Sequence, residues 1–317
     1  MNLNEARQIL KNNGYFVEMP LDEALDYLKE NGYLYEAEEE GAEESDDFEA
    51  DEDDAGDGEE MSEDLKNIVN KLRGIKNYEQ YVSFLKGMKE DQTKLLGKLI
   101  GDGEFSKDVK VQTGSLGVKF LHPTQQEIDV NNSLAYPLNK NPESIPSILS
   151  PSGAITINNS PIIVYKHEGS YYIIDGHHRW SQVFLMNPTA KMKIILFSAP
   201  KGADESPVDM LRDFQLVIKA KTGDVKIADA NSEYNVYKMS SDAIKNYVLK
   251  ITTDKAVEQW ASVKEGATKE SIADTIVTNA ESLKENNGPA EGAPRRNVMP
   301  QTDKTTIKAA AKGMMDI

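Results

Sequence analysis

The period of the apolar positions changes along the chain, and each change marks a different kind of element. Leu65, Ile68, Val69, Leu72 and Ile75 recur at helical spacing. Tyr81, Phe84, Leu85 and Met88 follow, then Leu95, Leu96 and Leu99. Two or three helices are predicted over 62–100, ending near Gly101-Asp102-Gly103 and packing on what comes next. From 107 onward the pattern is that of strands. Val109-Lys110-Val111-Gln112 and Val118-Lys119-Phe120-Leu121 alternate apolar and polar side chains. Asn-Pro and Ser-Pro steps punctuate 137–151, with a short helix or turn at Ile145–Leu149. Ile162-Ile163-Val164-Tyr165 is a continuous apolar run, as in a strand covered on both faces. Tyr171-Tyr172-Ile173-Ile174 returns after a polar turn, which predicts a hairpin. The chain then turns at Asp175-Gly176, enters a helix through His178–Leu185, and makes a further strand at Lys191–Phe197.

After Pro200 the pattern is mainly helical, over 206–220, 240–250, roughly 254–263 and 268–284. A short extended piece falls near 234–238. Asn286-Asn287-Gly288-Pro289 opens an irregular stretch, and a short helix over 304–314 closes the chain. The expected class is α+β: a small mixed-sheet domain flanked by helical segments. The divisions read as 1–36, 37–64, 65–106, 107–200, 201–284 and 285–317.

The first of these divisions holds an internal repeat with an 18-residue offset. Glu5-Ala6, Leu10-Lys11, Asn13-Gly14-Tyr15 and Glu18 recur as Glu23-Ala24, Leu28-Lys29, Asn31-Gly32-Tyr33 and Glu36, eight identities in fourteen positions. Each copy reads as a short helix capped by Asn4 or Asp22 and stopped at Asn-Gly. Two such turns bury little surface alone, so a docking tag for a protein partner and a plain helical appendage are the two readings. The repeat resembles N-terminal tags of some tailed-phage proteins. Leu34-Tyr35-Glu36-Ala37 resembles the sites cut by tailed-phage head-maturation proteases.

Charge sharpens the division at 37–64. The net charge is −17, yet residues 36–64 carry 18 Asp and Glu and no Lys or Arg. Removing those 18 negative charges from −17 leaves +1 for everything else. Like charges at that density resist collapse, which predicts a disordered acidic linker. It reads as a solubilising spacer, with a lure for a basic partner as the alternative. The near-neutral remainder disfavours DNA binding, which needs a basic face. No cysteine is present, which excludes disulfides and thiolate chemistry. No apolar run reaches the ~20 residues of a membrane span, and Met1–Glu5 lacks the features of a signal peptide. A cytoplasmic protein is expected, in an infected host cell or a virion if the phage resemblance holds.

Candidate chemistry concentrates at Asp175-Gly176-His177-His178-Arg179, which holds two of the four histidines. A strand, a turn through a glycine and a helix N-terminus together form a common plan for a phosphate site. Gly176 lets the backbone approach a ligand closely. His178 and Arg179 are donors, and Asp175 is a candidate Mg²⁺ ligand or an orienter of His177. Zinc is not expected, because adjacent helix positions project apart and no thiolate is present. Arg295 and Arg296, in the irregular stretch after 285, either close over this site onto an anionic substrate or pair with the acidic linker.

A hairpin ending in Ile174-Asp175-Gly176-His177-His178-Arg179-Trp180 resembles the ParB/sulfiredoxin superfamily of partition proteins, sulfiredoxins and free-serine kinases. Val118–Leu121 followed by Pro123-Thr124-Gln125-Gln126-Glu127-Ile128-Asp129 is similar to that superfamily's opening strand and turn. The resemblance covers about 107–200 and not the helical flanks. Sulfiredoxins place a cysteine in this turn, and none exists here. Partition proteins carry Gly-Glu-Arg-Arg and bind CTP; only Gly176 and Arg179 match. The kinase version fits best. It implies Glu127 as base toward an acceptor hydroxyl, with Asp175, His177, His178 and Arg179 at the phosphates and metal. Thr124 and Gln125 are helpers or merely turn residues. ATP or CTP with Mg²⁺ is the implied cofactor set, with phosphoryl transfer or hydrolysis as the activity. A DNA-associated partition or nuclease role and a non-enzymatic phage virion or scaffold role are the alternatives.

Overall fold

The computed structural model describes residues 77–94, 110–198, 206–222, 226–227 and 233–301, with isolated positions between 67 and 75. The N-terminal repeat, the acidic linker and the closing segment 304–314 lie outside the described residues. Lys76 onward forms one compact unit. Its elements are α1 (Tyr78–Gly87), β1 (Lys110–Gly117), β2 (Leu121–Pro123), α2 (Val130–Ala135), α3 (Ile145–Leu149), β3 (Ile162–His167), β4 (Ser170–Asp175), α4 (His177–Met186), β5 (Lys191–Ser198), α5 (Pro207–Thr222), β6 (Lys226–Ile227), α6 (Ser241–Ile251), α7 (Asp254–Ala261), α8 (Lys269–Asn286) and β7 (Pro300–Gln301).

The architecture is mixed α+β around a five-stranded sheet of order β1-β5-β3-β4-β2. β3 is central, antiparallel to β4 and parallel to β5. That position explains its continuous apolar run: Ile162, Ile163, Val164 and Tyr165 are all buried. Side chains of a strand alternate between faces. Ile162 lies against the backbone of Gly176 at the start of α4. Tyr165 belongs to the opposite face, and its register partner Phe197 meets Phe214 of α5 with ring centroids 6.4 Å apart. The sheet is thus covered by α4 on one side and α5 on the other. α1 packs on α5, where the Tyr78 hydroxyl bonds Gln215 and the Tyr81 hydroxyl donates to the Arg212 carbonyl.

α4 is the inner helix of the first layer. Every residue from Trp180 to Met186 is buried. Trp180 packs edge-on against Phe184, and its indole N–H donates to the Val118 carbonyl at 2.8 Å. α8 covers α4 with a stripe of Ile272, Ala273, Ile276, Ala280 and Leu283, spaced as one helical face. Asn279 donates to the Leu185 carbonyl at 2.8 Å across that contact.

The chain after α8 closes one edge of the sheet. β2 is a three-residue edge strand, parallel to β4, and the chain after α8 covers its outer side. Asn287 donates to the Lys119 and Leu121 carbonyls, both at 2.9 Å, and the Ala290 N–H donates to the Pro123 carbonyl at 2.8 Å. An edge closed in this way offers no template for further pairing.

Some expectations need correction. Val118–Phe120 is a 3₁₀ turn, not part of a strand. The Val118 N–H is drawn to the Ala190 carbonyl and Phe120 folds back over Gly117, so the chain bends before β2 starts. Residues 233–239 are turns joined to Asp129 by a single bridge, not an extended piece. The run 130–140 is helical, first as α2 and then as a π-turn at Tyr136–Lys140. Asp129 caps it, accepting from the Asn132 N–H at 2.8 Å.

The Trp180 packing carries a stability prediction. Trp180→Ala removes a fully buried ring and one hydrogen bond, so it should cost about 3–5 kcal/mol. The check is the shift in urea midpoint at constant m-value. A loss under about 1 kcal/mol would mean that α4 does not pack as described.

Candidate functional site

The site is built where β4 becomes α4. Asp175 ends the strand, and Gly176 reverses the chain with φ +100°. A side chain at Gly176 would also collide with Ile162, since an added Cβ would lie 2.5 Å from its Cγ2. Glycine is therefore required twice, by backbone sign and by space. Arg179 locks the turn. Its Nη2 sits 2.5 Å from Asp175 Oδ2, and its Nη1 donates to the Ser160 and Pro161 carbonyls at 2.7 and 2.8 Å. The guanidinium thus ties the strand end, the helix start and the loop before β3 together.

Arg179, expected at the phosphates, braces the turn, and Asp175, expected as a metal ligand, holds that brace. The i,i+4 spacing of the pair was visible in the sequence, and that spacing brings such residues together on a helix start.

His177 and His178 occupy the first helical turn. The backbone N–H of Thr124 donates to His177 Nε2 at 3.1 Å, which leaves that nitrogen as the unprotonated one. The Thr124 hydroxyl donates to the Ile173 carbonyl at 2.5 Å, so Thr124 is a clamp between β4 and His177. The parallel pairing of β2 with β4 is what delivers it. Burial drives the His177 pKa down to about 3, with further lowering by the Arg296 and Arg179 guanidiniums. His178 is pushed well below its ordinary range, again by burial first and then by Arg296 and His177. Both imidazoles are neutral at pH 7.

Segment 125–130 runs beside this helix start. The Gln125 side chain donates to the Glu127 carbonyl at 2.7 Å. Ile128 N–H donates to Asn235 Oδ1 at 3.2 Å, and the Val130 N–H donates to the Tyr234 carbonyl at 2.9 Å. On its other side, Gln126 holds the C-terminal loop. Its N–H donates to the Pro294 carbonyl at 2.9 Å and its side chain donates to the Ala293 carbonyl at 2.8 Å.

That loop places Arg296 at the centre. Arg296 Nη1 donates to His178 Nε2 at 2.7 Å. The backbone N–H of Arg296 donates to Glu127 Oε2 at 3.3 Å. One residue therefore bridges the expected base and the expected phosphate-binding histidine, from more than a hundred positions along the chain. Burial lowers the Arg296 pKa from its ordinary value, opposed by the carboxylates of Asp129 and Glu127. Arg295 is exposed and stands outside the cluster.

The arrangement brings Thr124, Gln125, Glu127, His177, His178 and Arg296 together. Sequence reasoning missed two neighbours. Asp129 follows Glu127 by two positions and acts on the Arg296 charge. Gln182 lies one turn after His178 on the same helical face. Its side-chain nitrogen is buried without a hydrogen-bond partner, as is the Asn297 side-chain oxygen in the Arg296 loop. Unsatisfied buried polar atoms cost about 1–3 kcal/mol each, a cost that a polar ligand can remove. The first-turn N–H groups of α4 have no intrahelical acceptors, and Gly176 caps them with no side chain. Together with the Arg296 guanidinium they form a site suited to an anion.

The buried imidazoles set a pH dependence. The unfolded chain takes up protons on His177 and His178 below about pH 6.5, and the native state refuses them. Their contribution to stability is complete above about pH 6.5. It is lost as pH falls toward the folded value of about 3 for His177. The loss per histidine is up to about 1.4 kcal/mol per pH unit. His177→Gln and His178→Asn should each flatten the dependence of the urea midpoint on pH between 6.5 and 4. An unchanged slope would mean that these rings titrate freely in the folded protein.

Comparison of the chain with protein-family models, with curated proteins and with solved structures finds no match, so the functional reading rests on this geometry.

Proposed function

We propose that the chain is a nucleotide-binding protein of the ParB/sulfiredoxin type, with a site for phosphoryl transfer or nucleoside triphosphate hydrolysis. The observation that carries this reading is the Arg296 bridge from Glu127 to His178 at the N-terminal turn of α4. Further support comes from the hairpin β3–β4 running directly into the Asp175–Arg179 turn, and from the parallel β2 that sets Thr124 on His177.

Each group has a role in that chemistry. The α4 N–H groups and the positive helix end receive phosphate oxygens. Arg296 supplies the guanidinium. An anion beside it offsets the burial of its charge. His178 and Gln182 line the same helical face, and Thr124 and His177 hold the turn in place. Glu127 stands ready to take a proton from an acceptor hydroxyl. Gln125 positions it through the 2.7 Å bond to its carbonyl.

Among the described residues, no three His, Asp or Glu side chains converge as a metal cage. Mg²⁺ does not need one, because it takes one or two carboxylates and completes its shell with phosphates and water. Asp129, which like Glu127 acts on Arg296, suits a Mg²⁺ that enters with the nucleotide. When bound, the ion neutralises charge on the phosphates.

Calorimetry with ATP and with CTP, each with Mg²⁺, tests the reading. The wild type should bind at least one of them, and Arg296→Ala should weaken that binding roughly tenfold or more, as expected for a charged hydrogen bond. Glu127→Gln should keep binding and lose at least ~100-fold in phosphate release or transfer. No binding of either nucleotide by the wild type, or equal binding by Arg296→Ala, would contradict the proposal.

A further inference from the structure

Next to the anion site lies a pair of tyrosines that the chemistry above does not use. Tyr234 and Tyr247 are both half-buried, and their rings stand 4.7 Å apart between centroids at 42°. They are fixed to the same segment that carries Glu127. The Tyr234 carbonyl accepts from the Val130 N–H at 2.9 Å, and the Tyr247 hydroxyl donates to Asn131 Oδ1 at 2.5 Å. Asp129 lies at the join. It pairs with Asn235 in a backbone bridge, and its carboxylate acts both on Arg296 and on Tyr247. Burial, the neighbouring Tyr234 hydroxyl and that carboxylate push the Tyr247 hydroxyl up to about 12, so it stays a neutral donor.

We infer that Tyr234 and Tyr247 form a stacking shelf for the nucleobase of the bound nucleotide, one segment along from the phosphates at Arg296. The inference rests on the nucleotide reading of the site and deepens it. The reach is right: four residues from Glu127 to Asn131 span at most about 14 Å, within the length of a nucleoside triphosphate. The chemistry also suits the separation of roles. A partly exposed aromatic face accepts any base, because every base has a π-face, while the charged groups remain with the phosphates. Neither tyrosine stands out in the sequence. They lie 13 positions apart in segments outside the residues that carry the family resemblance, and only the fold joins them.

A base-free ligand separates this inference from the reading beneath it. Binding of ATP, CTP and inorganic tripolyphosphate is measured by calorimetry, each with Mg²⁺, on wild type, Tyr234→Leu, Tyr247→Leu and Tyr247→Phe. Far-UV circular dichroism and thermal melts verify the fold of each variant. The shelf predicts that wild type binds its preferred nucleotide roughly tenfold or more tighter than tripolyphosphate. The leucine variants should lose that advantage and keep their tripolyphosphate affinity, while Tyr247→Phe retains most of it. Equal affinity for nucleotide and tripolyphosphate in wild type would overturn the shelf and leave the phosphate site standing. So would leucine variants with unchanged nucleotide preference. If wild type binds none of the three, the phosphate site and the shelf both fail.

Discussion

The rest of the site depends on how the chain passes from β4 to α4 at a single left-handed glycine. Gly176 has no Cβ to strike Ile162, so strand and helix start can approach closely. Arg179 then fastens the turn from the inside, joined to Asp175 and to the Ser160 and Pro161 carbonyls. A charged pair with little exposure is costly unless its donors are satisfied, and here the guanidinium meets three oxygens. The result is a rigid helix start. It presents His177 and His178 on the first turn of α4.

Two distant segments complete what the turn begins. β2 lies parallel to β4 and sets Thr124 against His177. The chain after α8 returns along the edge of β2, held by Asn287 and Ala290, and Gln126 fixes it again at Ala293 and Pro294. These ties deliver Arg296. The electrostatic outcome is unusual for a resting surface. A half-buried guanidinium donates to a neutral imidazole, and the carboxylates of Asp129 and Glu127 act on its charge. In the proposed reading, an anion bound beside this guanidinium interacts with it at reduced dielectric, where the attraction exceeds that in water.

The central architecture was legible where local pattern and burial agree. The run Ile162–Tyr165 announced a doubly covered strand, and Tyr171–Ile174 its hairpin partner. The Asp175–Arg179 turn announced itself through its glycine and paired histidines. Arg296 was visible as a candidate, but nothing local told it from Arg295. The fold separates them, because only Arg296 is carried to His178. α2 and its π-turn were hidden by Pro137, Pro142 and Pro146, which read as breaks, although Asp129 was a sound cap for the helix. The bend at Gly117 was hidden as well, since Val118–Phe120 alternates like a strand and is turned by a long-range bond to Ala190. The brace role of Arg179 was written in its spacing from Asp175. The Tyr234–Tyr247 pair was not written anywhere locally.

The most direct test of the central claim observes the histidines themselves. The claim is that the α4 N-terminus and Arg296 form one anion site around His178. Imidazole ¹⁵N spectra at pH 7 should show both rings neutral, with His177 Nε2 unprotonated. Adding ATP or CTP with Mg²⁺ should move the His178 ring resonances and the Arg296 guanidinium resonances together, at the same ligand concentration. Resonances that stay fixed while the nucleotide binds would place the ligand elsewhere and contradict the account.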